Sequence, residues 1–324
     1  MAEQPPPTFA WLILATSVLA VSSAGAVFQL ISDVNPILRA SWRLQATALI
    51  LLPPFIYQVI NLRNNDAETL SRIKDKRVIL SIMGSSICLW IHFGSWVWSL
   101  DHTSLTHSLL FVTAHPLVIV AGLYFLGKQI SSEQASGALL GFLGAGITLL
   151  GVTNEGGVTL IGDLAAFIGA IAIVGYLVAG RVLREWMPLF IYAFPVTLIA
   201  SILLGLSSIV IEGTSLGGLP AVSSLFGWSD ILWLPAIAYL AIGPGLIGHT
   251  GINGVLRWFP PLVISVAVLF EPLIGSLIGW LLGTTDMPGI YTWLGGIFLI
   301  LGVMMVTLGK TSVDELTNVI DEGE

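Results

Sequence analysis

The chain has 324 residues, of which 55% are hydrophobic and only 10% are charged. Soluble domains carry about 25% charged residues, so this composition predicts a polytopic membrane protein. The net charge of −7 says little about partners, because five acidic residues lie within the last eleven positions. A nucleic-acid partner is not expected, since nucleic-acid binding needs clustered surface Lys and Arg and the whole chain holds only twelve.

Ten apolar segments are long enough to cross a bilayer as helices. We number these predicted spans one to ten; they cover roughly residues 9–31, 36–60, 78–99, 104–127, 133–152, 159–183, 188–211, 230–256, 260–283 and 287–309. The expected fold class is therefore an all-α membrane protein with a single membrane domain over residues 1–324. The short acidic tail at 311–324 is expected to be disordered.

Lys and Arg in the connections between spans predict the orientation. The connection 61–77 is rich in both, and with ten spans Lys128, Arg181, Arg257 and Lys310 fall on its side of the membrane. The opposite connections contain acidic residues and no Lys or Arg. By the positive-inside rule both termini are cytosolic. We expect a multi-pass protein of a plasma or inner membrane rather than of an organelle.

Two spans carry an ionisable residue before a proline. Glu271 lies near the middle of span nine and is followed by Pro272, and span four has His115 followed by Pro116. A charge at the bilayer centre costs about 2.5–3.5 kcal/mol on insertion scales, so it normally faces a partner or a watery cavity. Each proline is expected to kink its helix and free carbonyl groups beside the ionisable side chain. The pattern indicates a transport pathway.

The same pair reveals an internal repeat. A shift of 156 positions lays residues 88–127 on 244–283 without a gap and superimposes His115-Pro116 on Glu271-Pro272. Five spans per repeat is an odd number, so the second copy must be inverted in the membrane. We expect repeat one at about 9–152 and repeat two at about 159–309. Inverted repeats place a substrate site near the midplane between the halves.

Three segments, at 35–53, 114–128 and 269–284, resemble the drug/metabolite transporter superfamily in its EamA-like branch. The resemblance implies a carrier built from two five-helix repeats. The family's Pro-x6-Arg in the second helix matches Pro36 and Arg43, and its acid-Pro in the ninth matches Glu271 and Pro272. The chain departs from the family at His115, where the family often has Glu. Spans nine and ten lack the Lys and Arg that sugar-phosphate carriers of this superfamily use for phosphate, so the resemblance disfavours phosphorylated substrates.

Arg43, Glu271 and His115 are the leading candidates for chemistry. Arg43 lies about 10 Å into span two, too deep to reach the interface easily, and is expected to bind a substrate carboxylate or an internal acid. Glu271 and His115 are expected to bind substrate and to form a proton-coupling pair, since both can change charge near neutral pH when buried. The alternatives are a structural buried acid for Glu271 and polar packing for His115.

Four further residues are candidate substrate ligands. His249 and Asn253 lie one helical turn apart in span eight and are expected to line the cytosolic half of the path. Trp90 is deep enough in span three for a cavity wall, and His92 is close to it, although His92 and His107 also fit the description of hydrogen-bonded core histidines. The histidines show no metal-ligand spacing, so no metal site is expected.

Small residues in span five suggest a close helix contact. Gly137, Gly141 and Ala145 form a small-xxx-small ridge. Packing within the monomer and a homodimer interface both fit, and we favour the former.

These observations favour a secondary active transporter of a small organic metabolite, such as an amino acid or a related polar or anionic solute. Alternating access, with proton coupling or exchange, is the expected mechanism. The first alternative is a passive channel or facilitator for small solutes or ions, and the second is an intramembrane enzyme or a scaffold. The expected partners are a small-molecule substrate and the lipid bilayer. No cofactor is expected, and no enzymatic activity, because no Ser/His/Asp grouping or phosphate-binding loop is apparent in the sequence.

Overall fold

The computed structural model describes residues 6–127, 130–150, 157–217, 221–259 and 261–308, and this part of the chain is helical without named strands. In chain order the α-helices are α1 Thr8–Ser22, α2 Ala24–Gln29, α3 Pro36–Asn65, α4 Ala67–Ile73, α5 Lys76–Ser99, α6 Leu105–Val112, α7 His115–Phe125, α8 Ser132–Leu149, α9 Leu160–Arg184, α10 Leu189–Glu212, α11 Leu234–Leu240, α12 Gly251–Val255, α13 Pro261–Val268, α14 Glu271–Leu281 and α15 Ile290–Leu308. A π-helix, Ala241–Thr250, joins α11 to α12. The predicted disordered tail at 311–324 lies outside the described residues.

Six helical segments are long and apolar enough to cross a membrane: Thr8–Gln29, Pro36–Asn65, Lys76–Ser99, Leu105–Phe125, Leu160–Arg184 and Leu189–Glu212. They coincide with predicted spans one, two, three, four, six and seven. Helices also occupy the other four predicted spans, but that of span eight contains the π-helix and that of span nine is interrupted. The total of ten crossing helices therefore stays a prediction.

Spans four and nine are broken in the same way. In each, one helix ends and a new helix begins at the ionisable residue, His115 or Glu271, with the proline at its second position. Proline suits the first turn of a helix but disfavours helical conformation in the residue before it, so the chain restarts there instead of bending smoothly. The predicted kinks are thus complete interruptions.

The shift of 156 positions also relates the helix boundaries. It carries the limits of α6 and α7 onto those of α13 and α14, residue for residue. Both second half-helices are followed by a glycine with positive φ, Gly127 at 68° and Gly283 at 69°. Glycine adopts this left-handed conformation without the Cβ penalty, which explains the same stop at both positions.

Four of the helix contacts between the two halves of the chain follow a simple rule. α8 packs along α15, α3 along α10, α5 along α9, and α1 along the π-helix. In the numbering of the predicted spans these pairs are five with ten, two with seven, three with six, and one with eight. Exchanging spans one to five with spans six to ten returns the same set of pairs.

Glycines bring α8 and α15 into backbone contact. A Cβ added at Gly137 would lie 2.6 Å from the carbonyl oxygen of Gly302, and one at Gly144 would lie 2.6 Å from that of Gly295. Gly141, from the predicted ridge, faces the same helix at Gly302. The ridge therefore packs within the monomer. Its third closely packed position is Gly144 rather than the predicted Ala145 beside it.

Gly302→Ala is expected to lower the free energy of unfolding by about 1–3 kcal/mol, because the added methyl would lie 2.6 Å from the carbonyl oxygen of Gly137. The matched control is Gly146→Ala on α8, where an added Cβ meets nothing within 4 Å. That variant should be neutral or slightly stabilising, since Ala favours helix over Gly. Thermal denaturation of both purified variants measures the difference, and equal melting temperatures would contradict the close contact.

Candidate functional site

A small central cavity brings four of the predicted site residues together. His92, His115, His249 and Glu271 line its wall, together with Trp96. They come from α5, α7, the π-helix and α14, so the site lies where both halves of the chain meet. The cavity volume is about 50 Å³, enough for a few water molecules, because one water needs roughly 10–15 Å³ on this measure.

The helix breaks position His115 and Glu271. Each is the first residue of its half-helix, with 4% and 7% of its surface exposed. The first backbone N–H groups of a helix have no intrahelical acceptor, and the positive end of the helix dipole lies there. The two half-helices therefore bring polar backbone as well as ionisable side chains to the buried centre. The Nδ1 atom of His115 has no hydrogen-bond partner among the described residues.

Arg43 occupies an adjoining cavity and is almost fully buried, at 1% exposure. Its guanidinium carbon lies 4.5 Å from the ring centroid of Phe93 and 5.7 Å from that of Phe28, both within cation–π range. The guanidinium and the carboxyl group of Glu271 are close enough to interact electrostatically. Within the described part of the chain, Arg43 Nη1 has no hydrogen-bond acceptor.

Tyr176 and His249 line both cavities and so join them into one site. Asn253 completes the second cavity: its Nδ2 donates to the Tyr176 hydroxyl at 2.5 Å, whereas its Oδ1 has no donor among the described residues. Buried polar atoms in folded proteins are nearly always hydrogen-bonded, so unpaired atoms of this kind mark places where a polar solute or water binds.

His92 is held in one tautomer. Its Nδ1 lies 3.0 Å from the carbonyl oxygen of Gly169, and because a carbonyl can only accept, Nδ1 carries the proton. In the neutral ring Nε2 is then an acceptor. The ring stacks on Trp96, with centroids 6.0 Å apart, and its centroid lies 6.1 Å from that of His249. The hydrogen bond to Gly169 is of the kind expected for a core histidine, and it also orients the His92 ring in the cavity wall.

Trp90 lies outside both cavity linings. Its Nε1 donates to the hydroxyl of Ser207 on α10 at 3.0 Å. Trp90 precedes His92 by two residues, which is about 200° around a helix, so the two side chains face different directions. Trp96 follows His92 by four residues, on the same face, and its buried Nε1 has no partner among the described residues. Helical spacing from His92 would have identified Trp96 as the aromatic wall.

Polar contacts join helices at one end of the molecule, which we call the Asp101 end. Asp101 pairs with Arg39, and the Glu212 carboxylate accepts backbone N–H bonds from Ile37 at 2.7 Å and Leu38 at 2.9 Å. A carboxylate at a helix N-terminus is favoured by the unpaired N–H groups and the dipole there. Glu212 therefore ties the end of α10 to the start of α3.

At the opposite end of α9, which we call the Arg184 end, arginine side chains donate hydrogen bonds to backbone carbonyls. Arg184 Nε donates to Asn253 O at 3.1 Å, and Arg181 Nη1 donates to Leu256 O at 2.6 Å. Both arginines lie near the end of α9 and both carbonyls near the end of α12. These bonds hold α12, and with it Asn253, against α9.

A second buried polar group lies apart from the cavity and was not foreseen as a group. His107 Nδ1 lies 3.0 Å from Asp163 Oδ2, His107 Nε2 lies 2.8 Å from the Thr292 hydroxyl, and Thr103 donates to Asp163 Oδ1 at 2.7 Å. We call these four residues the Asp163 cluster. His107 is separated from Asp163 by 56 residues and from Thr292 by 185, so no local sequence signal joins them.

Residues 8–150 match the model of the EamA-like transporter family. The first part of this chain is EamA-like. The resemblance to the EamA-like branch of the drug/metabolite transporter superfamily is thereby confirmed over these residues. A solved crystal structure of another protein is 20% identical to this chain and superimposes with a TM-score of 0.62. The superposition covers 98% of this chain and 100% of the other. At this identity the likeness shows the fold alone. No curated protein matches the chain.

The EamA-like match and the apolar helices together indicate a multi-pass integral membrane protein that transports small solutes. EamA-like proteins are transporters rather than enzymes. The family match ends at residue 150, whereas the candidate site also uses His249, Asn253 and Glu271 from the second part of the chain.

Proposed function

We propose that the protein is a secondary active transporter of a small organic metabolite that carries a carboxylate, such as an amino acid or a related polar or anionic solute. The observation that carries this proposal is the pair of opposite charges at one buried site, Arg43 and Glu271, separated by histidines and aromatic rings. The planar guanidinium of Arg43 suits bidentate binding of a carboxylate. The Glu271 carboxylate then either pairs with the ammonium group of a zwitterionic substrate or takes up a proton.

Alternating access is the proposed mechanism. We infer that the polar contacts at the Asp101 end and those at the Arg184 end close the site on its two sides. A cavity of about 50 Å³ is far smaller than ligand pockets, which measure roughly 300–1,000 Å³. Substrate therefore enters only when one end opens and the wall expands. Closure at both ends favours a carrier over the alternative, a passive channel or facilitator with a continuously open path.

Two inverted five-helix repeats, at about 9–152 and 159–309, are the proposed architecture. The coincidence of the boundaries of α6 and α7 with those of α13 and α14 after the shift of 156 positions supports it. The helix contacts, which are unchanged as a set when the halves are exchanged, support it as well. In such an arrangement His115 and Glu271 lie at the same depth on either side of the pseudo-two-fold axis.

Uptake into proteoliposomes tests the function. A panel of amino acids, carboxylates and neutral polar solutes is offered with and without a pH gradient. We expect saturable uptake of a carboxylate-bearing solute and acceleration of its efflux by external substrate, since a carrier returns faster when loaded. Uptake proportional to concentration without countertransport would indicate the facilitator instead.

Cytosolic termini are the proposed orientation. The variant Ser229→Cys, in a Cys88→Ala background, places a single thiol at an exposed position of the connection between α10 and α11. An impermeant maleimide should label it from outside intact cells. Labelling that requires permeabilised cells would reverse the orientation derived from the Lys and Arg pattern.

A further inference from the structure

The Asp163 cluster joins three helices close to their ends. Thr103 precedes α6, His107 lies in its first turn, Asp163 is the fourth residue of α9, and Thr292 is the third residue of α15. His107 has no exposed surface and Asp163 is 1% exposed. The group lies at the Asp101 end, because Asp101 is two residues from Thr103 in the same connection. It is a second polar closure at that end, separate from Arg39 and Glu212.

We infer that the Asp163 cluster is a latch that keeps the Asp101 end of the molecule closed over the central cavity. The inference rests on the proposed alternating access and goes beyond it by assigning residues to one gate. His107 and Asp163 act by positioning α6 and α9; neither lines the central cavity or its neighbour around Arg43.

The latch is connected directly to the cavity wall. α6 begins two residues before His107 and ends at Val112, and Val112 and Thr113 line the central cavity next to His115. A Cβ added at Gly162 would lie 2.5 Å from the carbonyl oxygen of His102, so α9 and the segment before α6 touch through their backbones. Separating Asp163 from His107 would therefore displace the wall that carries Val112.

The fold does not need polar residues at this place. The shift of 156 positions puts Phe259 and Val263 where Thr103 and His107 stand, so the corresponding position of the other half is apolar. Replacing a buried ion pair by well-packed apolar side chains is often neutral or stabilising. By the same reasoning a buried, hydrogen-bonded His–Asp pair is a poor choice for stability alone, and its presence where the repeat-related residues Phe259 and Val263 are apolar points to a role in opening.

The hydrogen-bond chemistry suits a contact that forms and breaks. Asp163 accepts one bond from Thr103 and one from His107, and the second ring nitrogen of His107 meets the Thr292 hydroxyl. Water can replace each partner when the helices separate, so the net free-energy cost of opening such bonds is modest. An open state is then accessible, and the satisfied cluster defines the closed one.

The test measures how fast the central cavity becomes accessible from each side. Ala24→Cys, in the Cys88→Ala background, places a thiol in the cavity wall on α2, a helix that contributes no residue to the latch. The full-length protein is labelled in membranes with an impermeant maleimide applied to one side at a time. The thiol of Ser229→Cys identifies the side on which the Asp101 end lies.

We expect Asp163→Asn and His107→Gln each to raise the labelling rate of Ala24→Cys at least tenfold from the Asp101 side, with little change from the Arg184 side. The exchanged pair, His107→Asp with Asp163→His, should return the rate towards that of the unmodified latch. Thr106→Val is the matched control. Thr106 precedes His107 by one residue, and the variant removes the 2.9 Å hydrogen bond between the Thr106 and Ser276 hydroxyls, which joins α6 to α14. Its labelling rate should stay low.

An unchanged labelling rate in a folded Asp163→Asn variant would show a permanent structural contact and overturn the latch. So would an equal rise from both sides. If Asp163→Asn does not fold, Thr292→Val removes the α15 arm alone, and a rise of less than about twofold in that variant counts against the latch. Labelling needs no substrate, so failure of the latch and failure of the proposed transport are distinguishable.

Discussion

Arg43→Lys is expected to raise the KM for transport at least tenfold while the protein stays folded. Lysine keeps the positive charge but loses the planar pair of N–H donors that binds both oxygens of a carboxylate. The contacts of the guanidinium with the rings of Phe93 and Phe28 would be lost as well. Initial uptake rates over a range of substrate concentrations in proteoliposomes measure the effect.

Arg43→Ala should abolish measurable uptake. Truncating one partner of a buried charge pair costs about 2–5 kcal/mol, which corresponds to a loss of affinity of roughly 30-fold or more. The variant also removes the buried cation that shares this site with Glu271, so Arg43→Gln combined with Glu271→Gln provides a version in which neither ionisable group remains. We expect that double variant to fold and to remain inactive.

Arg63→Lys is the control for the Arg43 variants, because Arg63 is exposed at the end of α3, and it should transport like the unmodified protein. Near-normal KM in a folded Arg43→Ala protein would remove Arg43 from the substrate site. Loss of uptake together with a large fall in melting temperature in the double variant would assign Arg43 and Glu271 a structural role.

Glu271→Gln is expected to remove accumulation driven by a pH gradient while exchange of substrate for substrate persists. Glutamine has the shape of the protonated acid but cannot release a proton. Net transport coupled to protons needs that release in every cycle, whereas exchange of loaded for loaded carrier does not. Accumulation should fall at least tenfold, to the level seen without a gradient, and exchange at saturating substrate should stay within about threefold of the unmodified rate.

His115→Gln tests the second member of the pair. His115 begins α7 as Glu271 begins α14, and its buried Nδ1 has no partner among the described residues. If it relays or shares the proton, it should show the same separation of accumulation from exchange. The exposed Glu133→Gln on α8 serves as the control and should change neither mode.

A purely structural Glu271 predicts a different result. Accumulation and exchange would then fall together, in proportion to a lower melting temperature. Uptake by the unmodified protein that ignores the pH gradient altogether would end the coupling proposal for both residues and leave exchange as the proposed mode.

Hydrophobicity and proline placement were sufficient to predict an all-helical chain and the positions of its apolar helices. Apolar length predicts where helices lie, because a helix in lipid must satisfy its backbone internally and cover itself with apolar side chains. Proline predicted kinks at His115 and Glu271, which the structure shows as full interruptions of the helix, and the shift of 156 positions predicted that the two positions correspond. The sequence also identified Arg43 as a candidate site residue, since a cation deep in an apolar helix is costly without a partner.

The π-helix and the glycine contacts depend on tertiary structure. Span eight read as a plain helix, but a Cβ at Gly245 would lie 2.5 Å from the Thr47 hydroxyl and one at Gly248 would lie 2.7 Å from Val21. These close approaches to α3 and α1 accompany the π-helical turns that carry His249 to the cavity. The periodicity of the sequence does not predict these π-helical turns, because they occur where neighbouring helices make close contacts.

Side-chain direction and distant pairing decided the rest. Trp90 lies deeper in predicted span three than Trp96, but the cavity lies on the face of α5 that carries His92 and Trp96, and Trp90 bonds to Ser207 instead. Asp163 lies near the start of α9 and carries no signal in the sequence that assigns it a partner. It becomes a buried partner of His107 because α6, α9 and α15 meet there. The amino-acid sequence by itself determined which residues were too polar for lipid; the tertiary structure decided which of them face each other, since hydrogen bonds and ion pairs act only over a few ångströms.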